Sequence, residues 1–300
     1  MRITEPGRVT DRIFFLGRTE SCIYLVDGGE EYALIGGGMV YAAFEIPKQI
    51  QNFGIKEDRI RRIVILHAHF DHVGCIPYFK KRWPWAKVTA SARAKEMFAE
   101  PRVVETIASM NQVTAAGHGV EEEVREQGLL DFARLEIEEA VGGGDTLPCG
   151  DLNLEIIDAR GHSSCSIAVY LPEEKALFAS DAGGIPYGDT AFTVANSNFD
   201  QYQQTLERIA ALDVEIYLAG HYGVMTGWDA REYIQDATEA AQETRKLIEE
   251  SYARTQDVRQ TAEEVTRIRL DASPGYFLSK EMVFMTTQQM VKNLVKLMGE

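Results

Sequence analysis

The sequence has few positive charges, and this shortage excludes one class of function. Its 300 residues include 31 Lys and Arg against 46 Asp and Glu, a formal net charge of −15. Proteins that bind nucleic acid need a basic surface for the phosphate backbone. The acidic run at 121–123 has the opposite sign and indicates a solvated face. We therefore expect a small-molecule substrate and no nucleic-acid partner.

Long apolar runs and paired cysteines are also missing. No segment approaches the roughly 20 apolar residues of a membrane-spanning helix, and the first residues carry no apolar leader core. The four cysteines, Cys22, Cys75, Cys149 and Cys165, lack the paired spacing of zinc ribbons and thioredoxin-like motifs. These absences favour a cytoplasmic protein with reduced thiols and no membrane partner.

Histidine is scarce too, yet half of the six histidines fall in one short segment. This segment reads His67-Ala-His69-Phe70-Asp71-His72 and follows the apolar run 63–66, which has the character of a buried strand. Imidazole and carboxylate ligands together suit zinc, iron or manganese better than calcium or magnesium. The segment therefore predicts a metal site in the loop that follows a strand.

Three further candidate ligands lie downstream, and each follows an apolar run typical of a strand: His162, Asp181 and His221. Strand ends are where an α/β sheet presents its functional loops. A single histidine at a strand end is usually a hydrogen-bonded structural residue, but this ordered set indicates a metal centre, and a dinuclear one. His118 lies in a glycine-rich turn without an adjacent carboxylate, so we expect it to be structural.

The ordered set resembles the metallo-β-lactamase-fold superfamily over about residues 10–235. The resemblance implies an α/β fold, a four-layer αββα sandwich. It also implies the ligands of two metal ions: His67, His69 and His162 for the first, Asp71, His72 and His221 for the second, and Asp181 bridging the two. One departure is the stretch 34–38, Leu-Ile-Gly-Gly-Gly, where the family usually carries an aspartate.

The chemistry of such a centre predicts roles for the residues beside it. Two nearby cations drive a bound water towards hydroxide near neutral pH and stabilise the oxyanion that forms on attack. Asp71 is also a candidate to relay a proton to the leaving group, although a metal-bound carboxylate is a poor acid. Tyr187 and Tyr222 follow two of the ligands closely and are candidates to hydrogen-bond a substrate oxygen.

Strand-rich and helical parts alternate along the chain. We expect one domain over residues 1–300, with a helical insertion at 91–140 over the mouth of the site and a helical extension at 229–300. Helical spacing is present at 41–52, 73–82, 200–212, 229–250 and 282–298, with a kink at Pro47. The last amphipathic helix could cover the chain's own core or that of a second copy, so a homo-oligomer is left open.

Together these features predict a metal-dependent hydrolase of a small ester, thioester, lactone or lactam. Its cofactors would be two divalent ions, zinc by preference, with iron and manganese also suited to the ligands. One alternative is an iron enzyme of the same fold that reduces oxygen or oxidises persulfides. The histidine at position 69 and the lack of an appended flavin module disfavour the oxygen-reducing group. A second alternative is a non-enzymatic, metal-bound sensor.

Overall fold

The centre of the molecule is a pair of sheets that pack face to face. The computed structural model describes residues 1–188 and 190–299. Apolar side chains of both sheets are buried between them, and the rings of Tyr24 and Phe178 meet there with centroids 5.7 Å apart. Helices cover the outer face of each sheet, so the predicted four-layer αββα sandwich is confirmed.

The strands of the described residues form two large sheets and a hairpin. In chain order they are β1 (Arg2–Ile3), β2 (Gly7–Arg8), β3 (Ile13–Arg18), β4 (Ser21–Asp27), β5 (Tyr32–Ile35), β6 (Ile60–Val64), β7 (Lys87–Ser91), β8 (Glu139–Val141), β9 (Thr146–Cys149), β10 (Leu152–Asp158), β11 (Ile167–Leu171), β12 (Ala176–Ser180), β13 (Ile185–Tyr187), β14 (Thr190–Phe192), β15 (Ile216–Ala219) and β16 (Val224–Thr226).

Each large sheet mixes antiparallel and parallel pairs. The first sheet has the spatial order β2-β3-β4-β5-β6-β7-β8, antiparallel as far as β5 and parallel beyond it. The second has the order β1-β16-β15-β12-β11-β10-β9, with β12 and β15 as its parallel pair. Strands β11 and β12 are buried along their whole length because the other sheet covers one face and helices the other.

The helices lie outside the two sheets. They are α1 (Ile46–Asn52), α2 (Ile76–Arg82), α3 (Ala92–Phe98), α4 (Pro101–Gly117), α5 (Glu121–Glu126), α6 (Phe199–Ala210), α7 (Trp228–Thr255), α8 (Val258–Ala272) and α9 (Lys280–Met298). Helices α1 to α5 follow the strands of the first sheet, and α6 to α9 pack with the second. None of the helices in the described residues combines the length and apolarity that crossing a membrane would require.

Prolines begin helices in this fold and do not kink them. The predicted helix at 41–52 with a kink at Pro47 is wrong: a 3-10 turn over Val40–Phe44 precedes α1, and Pro47 is the second residue of that helix. Helix α2 begins only at Ile76, again with a proline next, and Pro101 is the first residue of α4. Proline suits these positions because the first turn of a helix leaves its N–H groups without intrahelical partners.

The helical stretch after β7 connects two neighbouring strands of the first sheet. Ser91 is the last residue of β7, and β8 pairs with β7 in parallel, so both ends of the 91–140 segment belong to the sheet. Describing this segment as an insertion, and 229–300 as an extension, stays an interpretation. Within the latter, α8 is a helix of its own that starts where Asp257 caps the N–H of Gln260.

Candidate metal centre

The seven predicted ligands lie in four loops at one end of the sandwich. The first sheet supplies the loop after β6, which contains a 3-10 turn over Phe70–His72. The second sheet supplies the loops after β10, β12 and β15. The structure brings the residues together in two sets, which we name the first ligand group (His67, His69 and His162) and the second ligand group (Asp71, His72, Asp181 and His221).

In the first ligand group three imidazole nitrogens converge. His162 Nε2 lies 3.2 Å from His67 Nε2 and 2.8 Å from His69 Nδ1. The three ligand atoms lie within 4.8 Å of one another. This is the spacing that a common metal ion requires, because nitrogens each about 2.1 Å from one zinc ion stand roughly 3 to 4 Å apart.

The second ligand group combines two imidazoles with two carboxylates. His72 Nε2 lies 3.1 Å from His221 Nε2, and Asp71 Oδ2 lies 3.6 Å from each of these nitrogens. All four residues are buried. The loops can approach this closely because residue 220 is glycine: a Cβ there would lie 2.6 Å from His72 Cε1 and 2.7 Å from Asp181 Oδ1.

Asp181 faces both ligand groups. Its Oδ2 lies 3.2 Å from His72 Nε2 in the second group and 3.5 Å from His162 Nε2 in the first. Its Oδ1 is buried, lies 3.6 Å from His221 Nε2 and has no partner within hydrogen-bond distance among the described residues. A buried carboxylate oxygen without a donor is costly, whereas a bound cation would satisfy it. The donor set and this oxygen therefore fit a metal centre with Asp181 between two ions.

Backbone carbonyls hold two of the imidazoles in one tautomer. His162 Nδ1 lies 2.8 Å from the carbonyl oxygen of Val194, and His221 Nδ1 lies 2.7 Å from that of Glu20. A carbonyl can only accept, so each Nδ1 carries a proton and each Nε2 is the nitrogen left to bind a metal ion. Such support from behind the ligands is characteristic of metal-binding histidines. The sequence gives no signal for either carbonyl.

Burial keeps the imidazoles of the first ligand group neutral. It lowers the pKa of His67 and His162, and it lowers the pKa of His69 to about 3. At neutral pH these nitrogens therefore keep the lone pairs that a metal ion needs.

The second ligand group attracts positive charge. Burial alone would lower the pKa of His221, but Asp181 and Asp71 raise it to about 10. Burial would likewise raise the pKa of Asp71, but His72 and His221 hold it at about 2. The carboxylates that would keep a proton on His221 would equally hold a divalent cation. Asp71 therefore stays ionised, and an ionised carboxylate suits the role of metal ligand better than that of proton donor to the leaving group.

The stretch that lacks the family's aspartate is closely packed. A Cβ at Gly37 would lie 2.5 Å from Ile76 Cδ1 and 2.7 Å from the carbonyl oxygen of His72. The carbonyls of Gly37 and Gly38 accept hydrogen bonds from the N–H groups of Cys75 and Gly74, at 2.8 and 2.7 Å. This stretch therefore supports, through its backbone, the end of the loop that follows β6 and carries four of the candidate ligands.

A cavity of about 400 Å³ opens onto the candidate ligands. Four of them reach it, and its other walls are mostly apolar. The described residues that line it are His69, Phe70, Asp71, Met110, His162, Asp181, Ile185, Phe192, Val194, Asn196, Tyr276, Phe277, Leu278, Met282, Val283, Met285, Thr286 and Gln289. This lining contains no lysine or arginine, and much of it comes from α9 and the segment before it.

The two tyrosines predicted to bind substrate lie behind the cavity wall. The hydroxyl of Tyr187 donates to the carbonyl of Pro274, and its ring packs on those of Tyr222 and Tyr276. Tyr222 also contacts the ring of Phe277. Neither belongs to the described lining, so both support the segment that forms the wall. A direct contact with substrate stays a prediction for each.

The structure also shows the contacts of two residues outside the predicted ligand set, His118 and Cys165. His118 stacks on Tyr41, with ring centroids 3.6 Å apart, and lies at the end of α4 outside both ligand groups. Cys165 is buried, and its sulfur accepts a hydrogen bond from the N–H of Ala68, between two ligand histidines. That contact links the loop after β6 of the first sheet to the loop between β10 and β11 of the second.

Comparisons with known proteins agree with this geometry. The sequence profile of the metallo-beta-lactamase superfamily matches residues 16–221. An acyl-coenzyme A thioesterase of Bos taurus is 26% identical over 224 residues, which cover 70% of this chain and 75% of that protein. A hydroxyacylglutathione hydrolase of Erythrobacter litoralis is 33% identical over 93 residues, 29% of this chain and 34% of that protein.

Solved structures share the fold. A metallo-beta-lactamase family protein of Thermus thermophilus superposes with a TM-score of 0.68 at 20% identity, covering 97% of this chain and 95% of that one. The subclass B3 metallo-beta-lactamase BJP-1 of Bradyrhizobium japonicum superposes with a TM-score of 0.59 at 20% identity, covering 82% of this chain and 94% of that one. The profile match spans more than half of the chain and contains both ligand groups. The chain belongs to the metallo-beta-lactamase superfamily of hydrolases.

Proposed function

We propose that this protein is a metal-dependent thioesterase that hydrolyses thioesters with an apolar acyl group. The observation that carries the proposal is the cavity, because one space joins four candidate ligands to walls of apolar side chains. An acyl chain placed there would gain about 0.8 kcal/mol per buried methylene. Its carbonyl would then lie at the end of the cavity where the ligands converge.

The metal centre itself is part of the proposal. His67, His69 and His162 would hold one ion, Asp71, His72 and His221 the other, and Asp181 would lie between them, with zinc as the preferred metal. Two such ions supply a hydroxide nucleophile near neutral pH and positive charge for the developing oxyanion. The chain's own contribution is to fix these donors and to orient the acyl group.

The carboxylates and imidazoles of the described lining have pKa values shifted away from neutrality, and this favours a thioester over an amide or a lactam. A general acid works best with a pKa near the working pH. Asp71 and Asp181 both have lowered pKa values, and so do His69 and His162. An amine leaving group needs a proton as it departs, whereas a thiol with a pKa of about 8.5 leaves readily as the thiolate. Thiolate departure requires no acid from this cavity.

Charge in the cavity indicates which half of the thioester is recognised. Coenzyme A carries phosphates and glutathione carries carboxylates, and both groups call for cationic partners. The described lining contains no lysine or arginine, although it contains many apolar side chains. We therefore place the acyl group inside the cavity and the thiol carrier outside it, where it makes few charged contacts.

A panel of thioesters tests the proposed function. The panel comprises octanoyl thioesters of coenzyme A, glutathione and N-acetylcysteamine, together with a chromogenic β-lactam. We expect the three thioesters to agree in kcat/KM within about tenfold, and the lactam to be at least about 100-fold poorer, a difference of roughly 2.7 kcal/mol. A lactam that is the best substrate, or thioesters that are not cleaved, would contradict the proposal.

A further inference from the structure

We propose that Ser180 is a positioning residue that orients one histidine of each ligand group. Ser180 is the last residue of β12 and directly precedes Asp181. Its Oγ lies 3.2 Å from His72 Nδ1 and 3.5 Å from His67 Nδ1. The residue is 5% exposed, so water does not compete for these contacts. The inference rests on the metal centre of the proposed function.

The chemistry of a hydroxyl fits this double contact. His67 and His72 both direct Nε2 towards other ligand atoms, so Nδ1 is the nitrogen left to carry the proton. The Ser180 oxygen has two lone pairs and can accept one N–H from each ring. One uncharged side chain thereby fixes the tautomer and the tilt of two imidazoles, the role that carbonyls play for His162 and His221.

The backbone of Ser180 is strained, which argues that its side chain has a use. Its φ of 49° and ψ of −131° belong to a region that glycine adopts freely and other residues rarely adopt. Lys175 and Gln256 also have positive φ, but their ψ values of 40° and 23° lie in the ordinary left-handed helical region. Glycine at position 180 would relieve the strain but would remove the hydroxyl.

Among the described residues, Ser180 Oγ is the hydrogen-bonding partner of both Nδ1 atoms. A Cβ at Gly220 would lie 3.1 Å from Ser180 Oγ and closer still to the ligand atoms, so no side chain fits there. The contacts to His67 and His72 therefore depend on the residue at position 180.

The Ser180→Gly substitution separates positioning from stability. We expect zinc affinity, measured by competition with a chromophoric chelator, to fall by about 10 to 100-fold. The thermal midpoint of the metal-free protein should stay level or rise, because the strain is relieved. The Ser180→Ala variant should lose a similar amount of zinc affinity. Its thermal midpoint should be lower than that of Ser180→Gly, because alanine keeps the backbone strain. The visible absorption bands of the cobalt-substituted protein should shift in both variants.

Gln256→Gly provides the matched control. Gln256 directly follows α7, has a φ of 51° and lies outside both ligand groups, so glycine there should raise the midpoint and leave zinc affinity unchanged. Ser180→Gly with wild-type zinc affinity and an unshifted cobalt spectrum would overturn the role of Ser180 while the metal centre stands. Failure of the wild-type protein itself to bind zinc or cobalt would overturn the centre and the Ser180 inference together.

Discussion

Replacing Asp181 with asparagine is expected to lower kcat/KM for an octanoyl thioester by about 10³-fold, roughly 4 kcal/mol. Asparagine keeps the volume of the side chain but removes the charge that faces His72 and His162. Its amide also turns N–H donors towards imidazole nitrogens or a cation. Because this carboxylate faces histidines of both ligand groups, we expect the metal content to fall as well as the rate.

The control for this change is Asp213→Asn. Asp213 pairs with Lys175 on the surface, so its replacement should leave the rate and the metal content unchanged. Both variants should be compared by steady-state kinetics and by metal analysis of the purified proteins. An Asp181→Asn enzyme that keeps two ions and most of its activity would contradict the bridging position of Asp181.

Replacing Met282 with aspartate is expected to reduce kcat/KM for an octanoyl thioester by about 100-fold. Met282 is half-buried on α9 and lines the cavity, where the described residues include no lysine or arginine to pair with a new carboxylate. A charge in this position would have to be desolvated whenever an acyl chain enters. An acetyl thioester reaches less of the wall, so its kcat/KM should change by less than about threefold, since each methylene contributes about 0.8 kcal/mol.

Met298→Asp supplies the comparison on the same helix. Met298 is 47% exposed at the end of α9 and is not part of the cavity, so its replacement should not alter chain-length preference. The measurement is kcat/KM over thioesters from acetyl to decanoyl for the three proteins. Equal losses for acetyl and octanoyl substrates in Met282→Asp would show that this wall does not hold the acyl group.

The clustering of the candidate ligands could be predicted from sequence because its signals are local. Four candidates occupy six consecutive positions, and the others each follow an apolar strand. Strands that meet in sheets carry their loops to shared edges, so an ordered series of strand-end ligands implies proximity in the folded chain. The structure agrees, since the loops of both sheets meet at one end of the sandwich.

The supporting residues could not be predicted in the same way. The carbonyls of Val194 and Glu20 reach His162 and His221 only through tertiary contacts. Ser180 is an ordinary residue in the sequence, and only its φ and ψ reveal its strain. Backbone partners leave no compositional trace, because every residue carries a carbonyl group.

The cavity walls are only partly predictable from sequence. The apolar residues of the 91–140 segment that could line the site are Met97, Phe98, Ile107 and Met110, yet of these only Met110 reaches the cavity. Phe98 and Ile107 are buried in the core beneath the first sheet's helices, with Met97 packed against it. The larger contribution comes from α9, whose apolar spacing predicts an amphipathic helix but not the surface it covers.

Metal analysis of the wild-type protein tests the central claim most directly. The protein would be purified without chelators, analysed by plasma mass spectrometry, then stripped and titrated with zinc while thioester hydrolysis is followed. The two ligand groups predict two zinc or manganese ions per chain, with activity restored as the second equivalent binds. A single iron per chain, or no uptake of metal after titration, would contradict the dinuclear hydrolytic centre.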